Sequence, residues 1–495
     1  MSTVEGMGMH AASHGGRRIL RHIARIAMIE RGLQPDFPPA ASRQSAAIAA
    51  AARAEHVRDL RELPWVSIDN DDSRDLDQIS TAEALPSGDT RIWVAIADVD
   101  ALVGAGTPLD AHAHRNTTSV YTPARIFPML PERLSTDLTS LNDQQDRLAL
   151  VIEMDVSRDG EVMTSNLYRA QVRNHAKLAY PSISEWLEGR APPPDGLAAP
   201  RLQTPLRLQD AAAGKLRAER HVHGALTLET LKTHAVFDGD ALRDLERERK
   251  NRGQELIEDL MIAANGAVAR FLDQHGVPSL RRVLRTPRRW ERIVALAEEV
   301  GAHLPAAPDA LALNRFLSRR RQVDPERFAD LSLAVIKSLG SGEYLAQQPG
   351  RSATGHFGLA VSNYTHSSAP NRRFPDLISQ RLVKAVLAGR PSPYPFGLLE
   401  QLAEHCTRQE NNAAKVERRV AKSAAALLLA GRIGETFDAL VTGAAPKGTW
   451  VRILRPAAEG RLLRGFEGAD IGHRMRVRLA RVDVERGFVD FERVH

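Results

Sequence analysis

One cysteine, Cys406, occurs in 495 residues. It can form no disulfide within the chain and leaves no CxxC pair for zinc, so a reducing compartment is the natural setting. Long hydrophobic runs are also missing. The longest, such as AAALLLAG at 424–431, fall far short of the roughly 20 residues that a membrane-spanning helix needs. The opening MSTVEGMGMHAASHGGRR lacks the apolar segment of a signal peptide. A soluble, cytoplasmic protein is expected. Compositional bias is absent as well: 43% of residues are hydrophobic and 26% charged, which argues for a folded chain.

What the chain does have is length and positive charge. Its 495 residues predict two or three domains. A net charge of +6 and a pI near 9.6 point to a polyanionic partner such as nucleic acid, although an arginine-rich genome produces the same balance. Residues 17–31, RRILRHIARIAMIER, place Ile19, Leu20, Ile23, Ile26 and Ala27 on one helix face and Arg17, Arg18, Arg21 and Arg25 on another. QPDFPPAAS ends that helix, and an alanine-rich helix is expected from roughly Arg43 to Arg61. Residues 1–62 therefore read as a small helical module, either helix-turn-helix-like or a cap on the main domain.

A mixed region follows, residues 63–432. RIWVAIADVD and LALVIEMDV have the Val, Ile and Leu content of buried strands. Helical patterning is expected over 243–272 and 375–389. In residues 433–495 short strands alternate with glycine-bearing turns. Arg474, Arg476 and Arg478 alternate there with Met475, Val477 and Leu479, giving one basic and one buried face. Five such strands fit an OB-type barrel, a fold that binds single strands.

Two stretches carry chemistry. SIDNDDSRDLDQIS, 67–80, holds Asp69, Asp71, Asp72, Asp75 and Asp77 and ends its acidic run at Gln78. Clustered carboxylates repel one another unless a cation neutralises them. In an extended segment Asp75 and Asp77 share a side, with α-carbons roughly 6.6 Å apart, and Asp69 joins them if NDDSR loops back. All-oxygen ligands favour Mg²⁺ or Mn²⁺ over zinc; a solvated acidic loop is the plain alternative. In NYTHSSAPNRRFPDL, 363–377, Tyr364 and His366 precede Arg372 and Arg373. An arginine beside a metal site can grip a phosphate bidentately, while a surface salt-bridge pair is the ordinary reading.

Together these stretches resemble the ribonuclease II / ribonuclease R (RNB) family from about residue 63 onward. The family's acidic motif is matched by Ile68-Asp69, Asp75, Asp77 and Gln78. IADV at 96–99, SVYTPARIFPMLPERLSTDLTSL at 119–141, ELIEDLMIAAN at 255–265 and YTHSSAPNRRFPDL also look like family segments. The resemblance implies an α+β protein with an RNB-type catalytic domain of mixed sheet and helices, followed by an S1-like barrel. It implies a processive, Mg²⁺-dependent exoribonuclease, Mn²⁺ substituting, that acts as a monomer on single-stranded RNA with a free 3′ end and releases nucleoside 5′-monophosphates. Asp69, Asp75, Asp77 and Arg372 match catalytic positions, and Gln78 joins the three aspartates as a metal ligand. Tyr121 and Tyr180 match tyrosines that hold the 3′-terminal nucleotides. Glu258, Tyr364, His366, Arg373, Glu417, Arg476 and Arg478 complete the expected RNA contacts.

Three departures stand out. Gln78 carries an amide where the family has a fourth acid. Leu228 stands where relatives often carry a stacking phenylalanine. A short helical stretch precedes the catalytic region where relatives usually have two cold-shock modules. Gln78 keeps alive an alternative from another class, an RNA-binding protein of this fold with weakened or lost catalysis. Cleavage of DNA or another phosphodiester is a third reading.

Overall fold

The computed structural model describes residues 15–494 except 230, 231, 249, 352, 446, 447, 454, 470 and 471. Its first helix, Gly16–Glu30, buries Leu20, Ile23, Ala24, Ala27 and Met28; Ile26, predicted on that face, is exposed. The buried stripe joins a core built from the 34-residue helix Phe396–Leu429, the segment around Val120 and Phe127, and the C-terminal barrel. Burying Leu20, Ile23 and Met28 contributes at most about 1.5–3 kcal/mol each. Their sum approaches the whole stability of a typical domain, so this helix is a built-in cap. The second helix differs from expectation: it covers Pro39–Ala47, starting on a proline suited to the first turn, and Ile48 is already extended. Alanine propensity alone does not sustain a helix that has no apolar stripe to bury.

The main sheet has five strands in the order Arg58–Asp59, Val162–Arg173, Asp146–Val156, Thr90–Ala97, Gln78–Ala84. All pairs are antiparallel except the first. The central strands read as near-continuous Val, Ile, Leu and Ala because both faces are covered. Helices Pro200–Val222 and Arg252–Gln274 pack side by side on the sheet, and the principal core continues into Phe374–Leu387 and the first half of the long helix. The second of these helices begins at Arg252, behind a capping box made by Asn251 and Gln254. The expected start near 243 fails because Ala241–Glu248 is a strand, paired with Lys232–Asp238 across a turn that puts Gly239 at φ +58°. Three helices, Trp290–Glu298, Ala310–Val323 and Pro325–Leu339, form a smaller core of their own.

The C-terminal strands close into a five-stranded barrel in the order Thr436–Ala445, Gly448–Ile453, Ala458–Arg464, Phe488–Val494, Arg474–Asp483. Val477 and Leu479 point inward while Arg474, Arg476 and Arg478 are exposed, as the alternation predicts. The barrel sits on the last turns of the long helix, which spans about 50 Å at 1.5 Å per residue. Arg452 of the barrel pairs with Asp330 of the three-helix unit. Among the described residues, no helix is long and apolar enough to cross a membrane.

Candidate active site

The acidic loop begins where a short parallel ribbon ends. Ser67–Asp69 pairs with Lys177–Ala179, Asp69 opposite Ala179, and Tyr180 opens the next helix. Asp69 and Tyr180 therefore leave adjacent strands side by side. Asp69 Oδ1 accepts hydrogen bonds from the Asn70 amide (2.7 Å) and Ser73 Oγ (3.0 Å). Asp71 and Asp72 lie exposed in the turn, which removes them from the pocket. The loop returns at Asp75, whose Oδ2 takes the Tyr121 hydroxyl at 3.4 Å, and at Asp77, only 2% exposed. Burial lifts Asp69 and Asp75 above the usual carboxylate range, and Asp69 adds repulsion at Asp75. Asp77 is raised to about 8, chiefly by burial; Arg372 pulls it down and Asp75 pushes it up.

The arginine loop meets this pocket from the other side. Asn371 donates its amide to Asp77 Oδ1 at 2.9 Å, and Arg372 Nε stands 3.5 Å from Asp77 Oδ2 with 42% of its side chain exposed. Arg373 turns the opposite way: its Nη2 bonds Asp376 Oδ1 at 2.7 Å. Adjacent arginines thus divide, one at the mouth of the pocket and one holding the loop from beneath. Tyr364 and His366 are also beneath it. His366 Nδ1 shares a 2.8 Å hydrogen bond with the Tyr344 hydroxyl, and burial drives its pKa well below the ordinary histidine value. Tyr364 accepts the Arg282 amide on its carbonyl at 2.8 Å.

Two tyrosines flank the carboxylates. Tyr121 is 39% exposed, and its amide donates to Glu417 Oε1 of the long helix at 2.8 Å. The Tyr180 hydroxyl is pushed up by burial and then by Asp69, with Glu258 also acting on it; Glu258 itself pairs with Lys250. Gln78 is half-buried, the first residue of its strand, opposite Ile96. Leu228 packs against the three-helix core. On the barrel, Arg476 faces Asp438 and Arg478 faces Glu492 at 2.9 Å. Sequence reasoning passed over Asn371, Ser73, Thr139 and Ser140, which hold the site through hydrogen bonds.

The donor chemistry suits a hard divalent cation. Asp77 is buried and Asp69 and Asp75 are half-buried, and their charges are offset by Arg372 at all three and by Lys177 at Asp69. Among the described residues, no three His, Cys, Asp or Glu side chains gather closely enough to hold a metal ion by themselves. Mg²⁺ does not require one, since it usually binds one or two carboxylates and completes its shell with water and substrate phosphate.

A mixed-sheet domain with an acidic pocket, joined by one long helix to an OB-type barrel, is the architecture of the ribonuclease II class. Residues 57–389 match the RNB domain and residues 435–494 the RNase II-type exonuclease C-terminal S1 domain. The chain belongs to the RNB family. Ribonuclease R of Vibrio parahaemolyticus is 32% identical over 418 residues, covering 80% of this chain and 48% of that protein. Ribonuclease R of Escherichia coli is 33% identical over 415 residues, covering 80% and 49%. The chain therefore spans about half the length of these curated relatives. Mycoplasma genitalium RNase R, solved with ribose-methylated single-stranded RNA, superposes with a TM-score of 0.86 at 22% identity, over 95% of this chain and 77% of that one. A yeast pseudonuclease shares the fold at a TM-score of 0.69 and 14% identity, over 93% and 58%. The fold alone thus does not decide catalysis.

Proposed function

We propose that this chain is a Mg²⁺-dependent exoribonuclease that processively hydrolyses single-stranded RNA from the 3′ end to nucleoside 5′-monophosphates, as a cytoplasmic monomer. The observation that carries the reading is the meeting of Asp77 with Asn371 and Arg372 beside two tyrosines. One or two of the Asp69, Asp75 and Asp77 carboxylates, with Gln78, would hold the cation, water and substrate phosphate completing its shell; when bound, it neutralises phosphate charge and acidifies water. Asp77 orients the attacking water, its other oxygen being held by the Asn371 amide. Arg372, half in solvent, binds the scissile phosphate, a kind of contact worth about 2.7–4 kcal/mol in a reaction barrier. Tyr121 and Tyr180 stack on the terminal bases, at about 1–3 kcal/mol per base and without sequence preference. Glu258 borders the Tyr180 site. Glu417 acts through the backbone of Tyr121, and Tyr364, His366 and Arg373 act through the arginine loop they support.

The test is 5′-labelled single-stranded RNA incubated with Mg²⁺ or Mn²⁺. Stepwise 3′ shortening with mononucleotide release supports the proposal. Tight RNA binding without turnover in either metal overturns it and selects the binding-protein alternative that Gln78 motivates. Gln78→Asp should restore a fourth charge and lower the Mg²⁺ concentration at half-maximal rate; an unchanged metal titration removes Gln78 from the ligand set.

Because the barrel shares a core with the long helix and the N-terminal cap, its deletion would expose that core, and surface substitutions are the cleaner probe. Arg476→Ala with Arg478→Ala should flatten the plot of log affinity against log salt by about 1.4, or roughly 0.7 per lost phosphate contact on a single strand. An unchanged slope places the RNA elsewhere on the barrel.

A further inference from the structure

The acidic loop and the arginine loop are nearly 300 residues apart in sequence, and one strap joins them. Residues 117–119 of that strap run along the arginine loop: Ser119 donates to the Arg372 carbonyl at 2.9 Å, and Phe374 donates to the Thr117 carbonyl at 2.8 Å. The strap then forms the hairpin that bears Tyr121 and a turn of π-helix at Arg133–Leu138, a rare element that often marks functional sites. It ends in Thr139, Ser140 and Leu141. Ser140, fully buried, accepts the Leu76 amide at 2.9 Å, and its one hydroxyl hydrogen is shared between the Arg74 carbonyl at 2.9 Å and Asn142 Oδ1 at 2.8 Å. The Leu141 amide donates to the Leu76 carbonyl at 2.9 Å. Both peptide groups flanking Asp75 are therefore fixed by one serine. Thr139 Oγ1 stands 2.6 Å from Asn371 Oδ1 and 2.8 Å from the Leu134 carbonyl. With the Asn371 amide turned over, its nitrogen donates to Thr139 and Thr139 donates to Leu134, so the contact survives either assignment.

We propose that Thr139 and Ser140 are positioning residues of the catalytic centre: Ser140 sets where Asp75 and Asp77 stand, and Thr139, through Asn371, aims the Asp77 carboxylate at Arg372. Both side chains are buried. Their effect is on the geometry of reacting groups, where displacement by 1 Å costs about 100-fold. The inference rests on the exoribonuclease reading above.

Thr139→Val keeps the shape and removes the hydroxyl; Thr139→Ser restores it; Ser140→Ala removes the other anchor. Single-turnover rate on a short 5′-labelled RNA, RNA affinity, Mn²⁺ affinity by electron paramagnetic resonance and thermal midpoint are measured for each. Thr139→Val should slow the chemical step about 10- to 100-fold with RNA affinity unchanged, and Thr139→Ser should recover most of the rate. A Thr139→Val rate equal to wild type, or a loss that Thr139→Ser shares, overturns the proposal. If Ser140→Ala does not fold, the two Thr139 variants still decide. If wild type itself shows no turnover, the exoribonuclease reading falls separately. Mn²⁺ affinity then decides whether Thr139 positions the carboxylates: weakened in Thr139→Val, that part stands; unchanged, it fails too.

Discussion

Replacing Asp77 by asparagine should lower the single-turnover rate by about 10²–10⁴-fold, the range associated with a positioned group that handles a proton of the nucleophile. The substitution is isosteric, and the new amide oxygen can still accept the Asn371 N–H that now reaches Asp77 at 2.9 Å. Geometry is preserved while charge is lost. With the cation bound, RNA affinity should be retained, because Asp77 is assigned to the attacking water and Arg372 to the phosphate. Stability provides an independent reading in metal-free buffer. Burial lifts Asp77 from its ordinary 3.8 to about 8, so the folded chain keeps a proton that the unfolded chain releases. Wild-type stability therefore falls as pH rises through that window, and the variant is spared this loss. A variant with undiminished turnover, or one whose melting curve loses stability with pH exactly as wild type does, contradicts the assignment.

The second large effect is on stability. Asp98→Ala should destabilise the protein by about 3 kcal/mol, the lower end of the cost of breaking a buried ion pair, because Lys384 keeps Asp100 as a partner. The Asp98 carboxylate is fully buried between Arg169 Nη2 at 2.7 Å and Lys384 Nζ at 2.8 Å. Lys384 also holds Asp100, and Arg381 reaches Asp100 at 2.8 Å and Asp110 at 2.7 Å. This network ties the main sheet to the helix Phe374–Leu387, which begins directly after the two arginines. Urea unfolding measures the loss, and an unfolding free energy within about 0.5 kcal/mol of wild type, the usual size of a surface substitution, would mean the network is solvated. Activity per folded molecule should fall as well, since the helix carrying the arginine loop loses an anchor.

Some of this was legible in the residues and some was not, for physical reasons. Asp69, Asp75 and Asp77 are separated from Asp71 and Asp72 by the family motif they match; spacing alone offers that Asp75 and Asp77 share a side and that Asp69 joins them if NDDSR loops back. The barrel was readable from alternating Arg and apolar residues. Arg372 and Arg373 look identical in sequence, and only tertiary structure decides that one faces Asp77 and the other Asp376. Tyr364 and His366 likewise turn out to lie under the loop. The alanine-rich stretch after Ala47 misled because intrinsic propensity was not backed by a buried face. Asn371 stayed hidden because it acts through its backbone amide, which every residue but proline carries.

The Asn371–Asp77 contact spans 294 residues, and it has a consequence for how the protein is made. At about 5–20 residues per second, roughly 15–60 s separate the synthesis of the aspartate from that of its partner. During that interval the ribosome carries a chain whose acidic loop has no arginine across from it. No N-terminal fragment short of the arginine loop possesses the assembled pocket, so the pocket is completed late and in one step, after the sheet, the strap and most of the helices have been synthesised.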